Sequence, residues 1–236
     1  MLVLAIDTSC LTATCSVTED GKVLAELTIQ QSKTHSQKLV PMLKSMLNIL
    51  DKDFKDMDLF AAAIGPGSFT GLRIGAVTVK GLAYSCNKPV CGIPTLDALA
   101  YLVPDFPGLV VPMLDARNNQ VYTASYHKTG GRLDRVSPYV GIPVDELIGR
   151  LRESDQKIIV LGDAVPLHME KMRGALGERI TQAPPALSFP RASSTALLAE
   201  QAFREHKAVN AFELKPMYLR KSQAERMKNL EAAAKD

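Results

Sequence analysis

Residues 2–30 read LVLAIDTSCLTATCSVTEDGKVLAELTIQ, and residues 109–139 repeat the plan as LVVPMLDARNNQVYTASYHKTGGRLDRVSPY. Each begins with a continuous apolar run that closes on an aspartate, Asp7 or Asp115, as a buried strand meeting a polar loop would read. After Asp7, residues 12–18 are rich in Thr and Val, Asp20-Gly21 supplies a hairpin turn, and residues 23–30 return as a third strand. After Asp115, residues 120–127 make a second strand, residues 128–131 (KTGG) a turn and residues 132–139 a third. Two copies of strand, hairpin and aspartate point to an internal duplication.

The flanking sequence continues the pattern. A helix is predicted over residues 36–50 and a strand over 59–64 (LFAAAI). A glycine-initiated helix follows to about Tyr84, then a strand over 89–93 and a helix over 96–103. The first half thus reads βββαβαβα. The second half gives a helix over 143–151, a strand over 157–161 and a helix over 193–205. The Pro/Gly-rich stretch 104–108 (PDFPG) marks the boundary, dividing the chain into residues 1–104 and 105–236, with the basic C-terminal tail expected to pack back on the first lobe. The class is α/β: two lobes with mixed sheets, each a duplicated βββαβα unit.

At 236 residues and 46% hydrophobic, the chain is long enough for one large domain or two smaller lobes. No run approaches the ~20 apolar residues that span a bilayer, and residues 2–6 are too short for a secretory signal. A soluble, cytoplasmic protein with no membrane partner is expected. Cys10, Cys15, Cys86 and Cys91 occur as C-x4-C twice, not in the C-x2-C spacing of zinc ribbons or redox motifs, and read as structural free thiols. The net charge of +3 is local: the lobes balance, and residues 204–236 carry eight basic against five acidic side chains. Lys215, Arg220, Lys221 and Arg226 in this tail admit two readings, RNA phosphate contact or a solvated helix face.

Residues 65–75, GPGSFTGLRIG, carry the sharpest local signal. Gly65 and Gly67 allow backbone geometry that other residues resist, and Ser68 or Thr70 can cap the helix that follows. Gly71 and Gly75, four apart, share one helix face, so another backbone can approach closely. The string is neither a Walker loop nor G-x-G-x-x-G, and no lysine follows the glycines. Tight packing on the protein's own sheet and phosphate binding are the two readings it leaves open.

Together with residues 6–9 (IDTS), 32–36 (SKTHS), 39–43 (LVPML) and 216–220 (PMYLR), this string resembles the TsaB/YeaZ family over nearly the whole chain. The resemblance implies the two-lobed, RNase H-like fold of the actin, sugar-kinase and Hsp70 superfamily, whose members usually bind ATP between the lobes. It also implies a non-catalytic paralogue and partner of the TsaD subunit. That subunit makes threonylcarbamoyladenosine beside the tRNA anticodon, with the TsaE ATPase as third component. By the same resemblance, tRNA is reached through the complex and the isolated chain forms a homodimer.

The paralogue's His-Leu-Glu-Gly-His metal motif would fall on residues 95–99, where the two histidine positions are Thr95 and Leu99. A hydroxyl and an isobutyl group cannot replace two imidazoles at i and i+4. His35, His127, His168 and His206 have no ligand spacing. Asp7 and Asp115 stand where an actin-like ATPase would hold Mg²⁺ through water, yet neither following loop has a phosphate-admitting glycine pattern. No catalytic residue, metal or cofactor is therefore expected. The competing reading is a metal-dependent, peptidase-like or ATP-hydrolysing enzyme of the same superfamily.

Between residues 39 and 50, eight of twelve side chains are apolar, an arc wider than packing on one sheet needs. With the glycine-lined helix beside it, this predicts a partner surface of His35, Leu39, Met42, Leu43, Met46, Gly71, Arg73, Ile74, Gly75, Val77 and Lys80. Family resemblance places the dimer contact on the same two helices.

Overall fold

The computed structural model describes residues 1–30 and 35–219. Ser32, Lys33 and Thr34 of the family string, and Arg220, Lys221 and Arg226 of the basic tail, lie outside the described residues.

The first sheet holds β1 (Leu2–Asp7), β2 (Thr12–Glu19), β3 (Lys22–Gln30), β4 (Leu59–Gly65) and β5 (Val90–Pro94) in the order β3-β2-β1-β4-β5. β1, β2 and β3 are antiparallel neighbours, while β4 and β5 join in parallel. The Asp20-Gly21 turn has positive φ at both residues (47° and 81°), the geometry that matches the twist of a two-residue hairpin.

The second sheet contains β6 (Phe106–Asp115), β7 (Gln120–Thr123), β8 (Tyr126–Thr129), β9 (Arg132–Arg135), β10 (Val140–Pro143), β11 (Lys157–Leu161) and β12 (Ile180–Gln182). Its main path, β10-β7-β6-β11-β12, repeats the order of the first sheet strand for strand. The duplication is therefore structural, and the fold is the expected two-sheet α/β arrangement. One local expectation needs correction. Residues 120–127 are not one strand, and 132–139 is not its single return. β7 pairs with the end of β6 and with β10, whereas β8 pairs with the start of β6 and with β9. The break at Ala124-Ser125 lets one chain segment follow both halves of a ten-residue strand.

Helices α1 (His35–Ile49) and α2 (Phe69–Cys86) cover one face of the first sheet, where Leu39, Leu43, Met46 and Val79 meet Leu4, Ile6, Phe60 and Ala62. Ser68 caps α2 by accepting the Gly71 amide at 3.2 Å, and Asn87, in the left-handed region at φ 53°, ends it. Pro41 lies inside α1 on its exposed side. Over the second sheet, α4 (Val144–Arg152) and α5 (Val165–Leu176) take the equivalent places.

The remaining helices bind the halves together. α3 (Thr95–Tyr101) follows β5, yet its Leu96 and Leu99 pack with Val110, Leu114 and Tyr126 of the second half. α6 (Ala192–Arg204) returns to the first sheet, laying Ala192, Ala196 and Ala199 on Val3, Ala5, Leu59 and Ala61. The largely buried Glu26 carboxylate anchors this return, pairing with Arg191 at 2.6 Å and accepting the Ser193 amide at 2.8 Å. Residues 209–219 then run back along the first half as a strap. Val209 and Val90 exchange two backbone hydrogen bonds of 2.9 Å, and the Met217 amide donates to the Ile64 carbonyl at 2.7 Å.

Candidate functional site

Two features are candidates: the cleft where the Asp-terminated strands of the two sheets approach each other, and the outer face of α2.

At the cleft, a cavity of about 550 Å³ is lined among others by Ser9, Cys10, His35, Gly67, Asp115, Arg117, Asp163 and Tyr218. Asp7 is fully buried just behind it. One carboxylate oxygen accepts the Ser9 amide at 2.8 Å and the Ser9 hydroxyl at 2.6 Å, while the other has no hydrogen-bond partner among the described residues. Burial, the leading cause, raises its pKa above the ordinary carboxylate value, against the pull of the Ser9 bonds. Asp115 accepts the Arg117 amide at 2.7 Å and lies 3.2 Å from its guanidinium. Asp163 accepts the Asp115 amide at 2.9 Å, and burial likewise lifts its pKa. Arg117, Asn118 and Asn119 all have positive φ, so this loop curls tightly with bulky side chains instead of glycines.

The glycines of residues 65–75 serve the chain's own packing. A Cβ on Gly67 would lie 2.3 Å from the Ser9 carbonyl oxygen, and one on Gly71 2.0 Å from that of Thr8. At Gly75 it would lie 2.6 Å from the Thr8 hydroxyl. The Ser9 carbonyl accepts the Ser68 amide at 2.6 Å, and the Thr8 hydroxyl donates to the Gly71 carbonyl at 2.7 Å. The N-terminus of α2 thus already faces the oxygen of the β1–β2 loop, the place where an anion would be held. Gly65 and Gly92 serve the strap. A Cβ on Gly65 would meet the Met217 carbonyl at 2.6 Å, and one on Gly92 would meet Ile64 of β4 at 2.7 Å and Leu214 at 2.9 Å.

Thr95 and Leu99 are fully buried, Leu99 among the apolar side chains between the halves. Between them, Asp97 accepts the Tyr126 hydroxyl at 2.7 Å and the Tyr139 hydroxyl at 2.8 Å. Among the described residues, no three His, Cys, Asp or Glu side chains are grouped to hold a metal ion. All four cysteines are free thiols, and burial pushes Cys10 and Cys15 up to about 12 and Cys91 to about 11.

The structure separates the eleven residues expected at a partner surface. Leu39, Met42, Leu43 and Met46 are buried in the core, where the first sheet and α2 cover them. Gly71 and Gly75 are likewise turned to Thr8, on the inner side of α2. His35 faces the cleft, with Nε2 2.8 Å from the Cys10 carbonyl oxygen. Arg73 and Val77 remain on the open face, with Lys80 and Ile74 half-buried at its edge. Val77 is 67% exposed, as are Tyr84 (68%) and Phe212 of the strap (72%), whose rings meet edge to face at 5.2 Å. At the other end of the helix, the Arg73 guanidinium lies 3.9 Å over Phe69, and its Nε donates to the Tyr218 hydroxyl at 3.2 Å. The sequence reading expected the tail to return to the first lobe but did not place Phe212 or Tyr218 on this face.

Comparison with known proteins points the same way as the fold. The family described as "TsaD: tRNA N6-adenosine threonylcarbamoyltransferase" matches residues 22–228. The chain is 35% identical over 225 residues to the Bacillus subtilis tRNA threonylcarbamoyladenosine biosynthesis protein TsaB, covering 95% of this chain and 96% of that protein. It is 30% identical over 235 residues to the Escherichia coli protein of the same name, with the same two coverages. The solved structure of YeaZ from Pseudomonas aeruginosa superposes with a TM-score of 0.77 at 25% identity, over 92% of this chain and 99% of that one. Similarity at this level over almost the full length leaves one conclusion: the chain belongs to the TsaB/YeaZ family.

Proposed function

We propose that this protein is a non-catalytic scaffold subunit for threonylcarbamoyladenosine modification of tRNA next to the anticodon. It docks a TsaD-like catalytic subunit on the α2 face and works together with a TsaE-like ATPase. Without that subunit, a second copy of the chain occupies the same face. In this reading tRNA is met through the complex, in the cytoplasm, and residues 1–104 and 105–236 act as two lobes joined by α3 and α6. The observation that carries the proposal is the near full-length similarity to proteins named for this modification. The open apolar face of α2 adds a place to dock.

The alternative is an enzyme acting in the cleft, favoured by the acidic pair Asp115 and Asp163 beside an open cavity. Against it stand Thr95 and Leu99 in the apolar interior, and the α2 N-terminus already bonded to Ser9. Omission from a reconstituted modification reaction separates the two. With TsaD-like and TsaE-like proteins, adenylate donor and tRNA present, leaving out this chain should abolish modified adenosine. Full modification without it would contradict the proposal, as would ATPase activity of the lone chain that is lost in Asp7→Asn.

A further inference from the structure

None of the chain's 25 Asp and Glu residues falls in α1 or α2, helices of 15 and 18 residues. The two helices do carry Lys38, Lys44, Arg73 and Lys80, and none of these four forms an ion pair among the described residues. The duplication supplies an internal control. α4 and α5, in the equivalent places over the second sheet, mix Asp145, Glu146 and Glu170 with Arg150, Arg152, Lys171 and Arg173. There, Arg150 pairs with Glu146 and Lys171 with Asp145, each at 2.6 Å. A solvated helix pair in this fold therefore carries both signs. The α1–α2 pair carries one.

Along the open stripe of α2, Arg73 and Lys80 alternate with the exposed Val77 and Tyr84, Phe212 lies against Tyr84, and one of the cations is held in place. Stacked on Phe69 and bonded through Nε to Tyr218, the Arg73 guanidinium is fixed while its side chain stays exposed, ready for a two-pronged carboxylate contact. Lys80 is steadied by the Phe212 carbonyl at 3.4 Å. We propose that the α2 face takes a helical partner surface that is apolar opposite Val77 and Tyr84 and bears carboxylates opposite Arg73 and Lys80. It would thereby select an acidic partner over a second copy of this chain. The inference rests on the docking reading above.

A second copy fits less well because its own α1 and α2 bring no carboxylate. Of the nearby carboxylates, Asp53, Asp56 and Asp58 are already bonded to the backbone amides of Phe54, Asp53 and Leu2, and Glu213 of the strap to Asn210, which leaves Asp51 beyond the end of α1. Nucleic acid is disfavoured by the exposed aliphatic Val77 and by the edge-to-face rings, which offer no open stacking shelf.

The test measures two affinities, for the purified TsaD-like protein of the same genome and for self-association, from about 0.05 to about 0.5 M NaCl. Binding to the TsaD-like protein should weaken roughly tenfold or more over this range, whereas self-association should hold or tighten. Arg73→Glu combined with Lys80→Glu should weaken the first roughly tenfold at low salt and remove most of its salt slope. Should the double variant not fold, the salt series on the unaltered protein decides alone. A salt-independent affinity for the TsaD-like protein overturns the inference. So does binding of tRNA by the lone chain that the double variant loses, which would assign the face to nucleic acid. Val77→Glu separates the layers. If it abolishes capture while salt and the double variant change nothing, docking on α2 stands and the charge selection falls; if it changes nothing, docking itself falls.

Discussion

The glycines of α2 have opposite roles at different positions, a contrast that can be tested one residue at a time. Gly71 and Gly75 have the Thr8 backbone and hydroxyl where a Cβ would go, whereas Gly81 has nothing within 4 Å on the exposed side of the same helix. Gly71→Ala should lower stability by about 1–3 kcal/mol, since the obstructing atom is backbone and cannot swing away. Gly81→Ala should raise it by about 0.5–1 kcal/mol, the ordinary helix preference for alanine. Thermal unfolding of the two variants should move in opposite directions. The sequence showed that two helical glycines four apart needed a reason, but spacing could not say whether the approaching backbone belonged to the same chain or to another.

Asp7, Asp97 and Asp163 each have a pKa raised above the ordinary 3.8, with burial the first cause in every case. The native state therefore holds protons that the unfolded chain releases. The resulting instability is fully present above the folded-state values and is relieved as pH falls through them towards the unfolded value. Asp7→Asn preserves an acceptor for Ser9 and removes the buried charge. It should raise the unfolding midpoint at pH about 7 more than at pH about 4.5. An equal shift at both pH values would show that Asp7 does not titrate in this window.

At the level of helices, α1 and α2 divide the labour that the sequence assigned to both. The wide apolar arc of α1 fits three neighbours of its own chain, β2, β3 and α2, and leaves Val40 and Ile49 as its exposed aliphatics. Periodicity measures the width of an arc and is silent about what fills it. Met46→Asp should therefore act on folding, because an unpaired carboxylate in the core costs several kcal/mol, and the isolated chain should lose its cooperative transition. Val77→Glu replaces a side chain that is 67% exposed, so its unfolding midpoint should stay close to that of the unaltered protein. If Val77→Glu proved as damaging as Met46→Asp, the assignment of inner and outer faces would be wrong.

Across the whole molecule, the duplication was legible because both copies begin with the same buried strand closing on an aspartate. The second hairpin did not carry over, since its turn at 128–131 joins β8 to β9 while β7 pairs with β10. Residues 162–191 were not legible. Gly162, Pro166, Gly174, Gly177, Pro184, Pro185 and Pro190 punctuate this stretch, hiding the helix α5 and the short strand β12. Pro166 in fact sits in the first turn of α5, where its missing amide has no partner to lose. The strap could be expected only as a tail returning to the first lobe, because its few backbone bonds to β4 and β5 leave no periodic trace. It nevertheless brings Phe212 and Tyr218 beside α2 and Met217 to the edge of the cleft, so one segment touches both candidate sites.

The central claim is that the protein acts by docking a catalytic subunit on the α2 face and not by chemistry of its own. The most direct test is the yield of threonylcarbamoyladenosine in the reconstituted reaction when Val77→Glu replaces the unaltered chain at equal, saturating concentration. The predicted result is a well-folded variant that fails to capture the TsaD-like subunit and leaves the tRNA unmodified. Full modification by a variant whose capture is lost would contradict the account, as would undiminished capture.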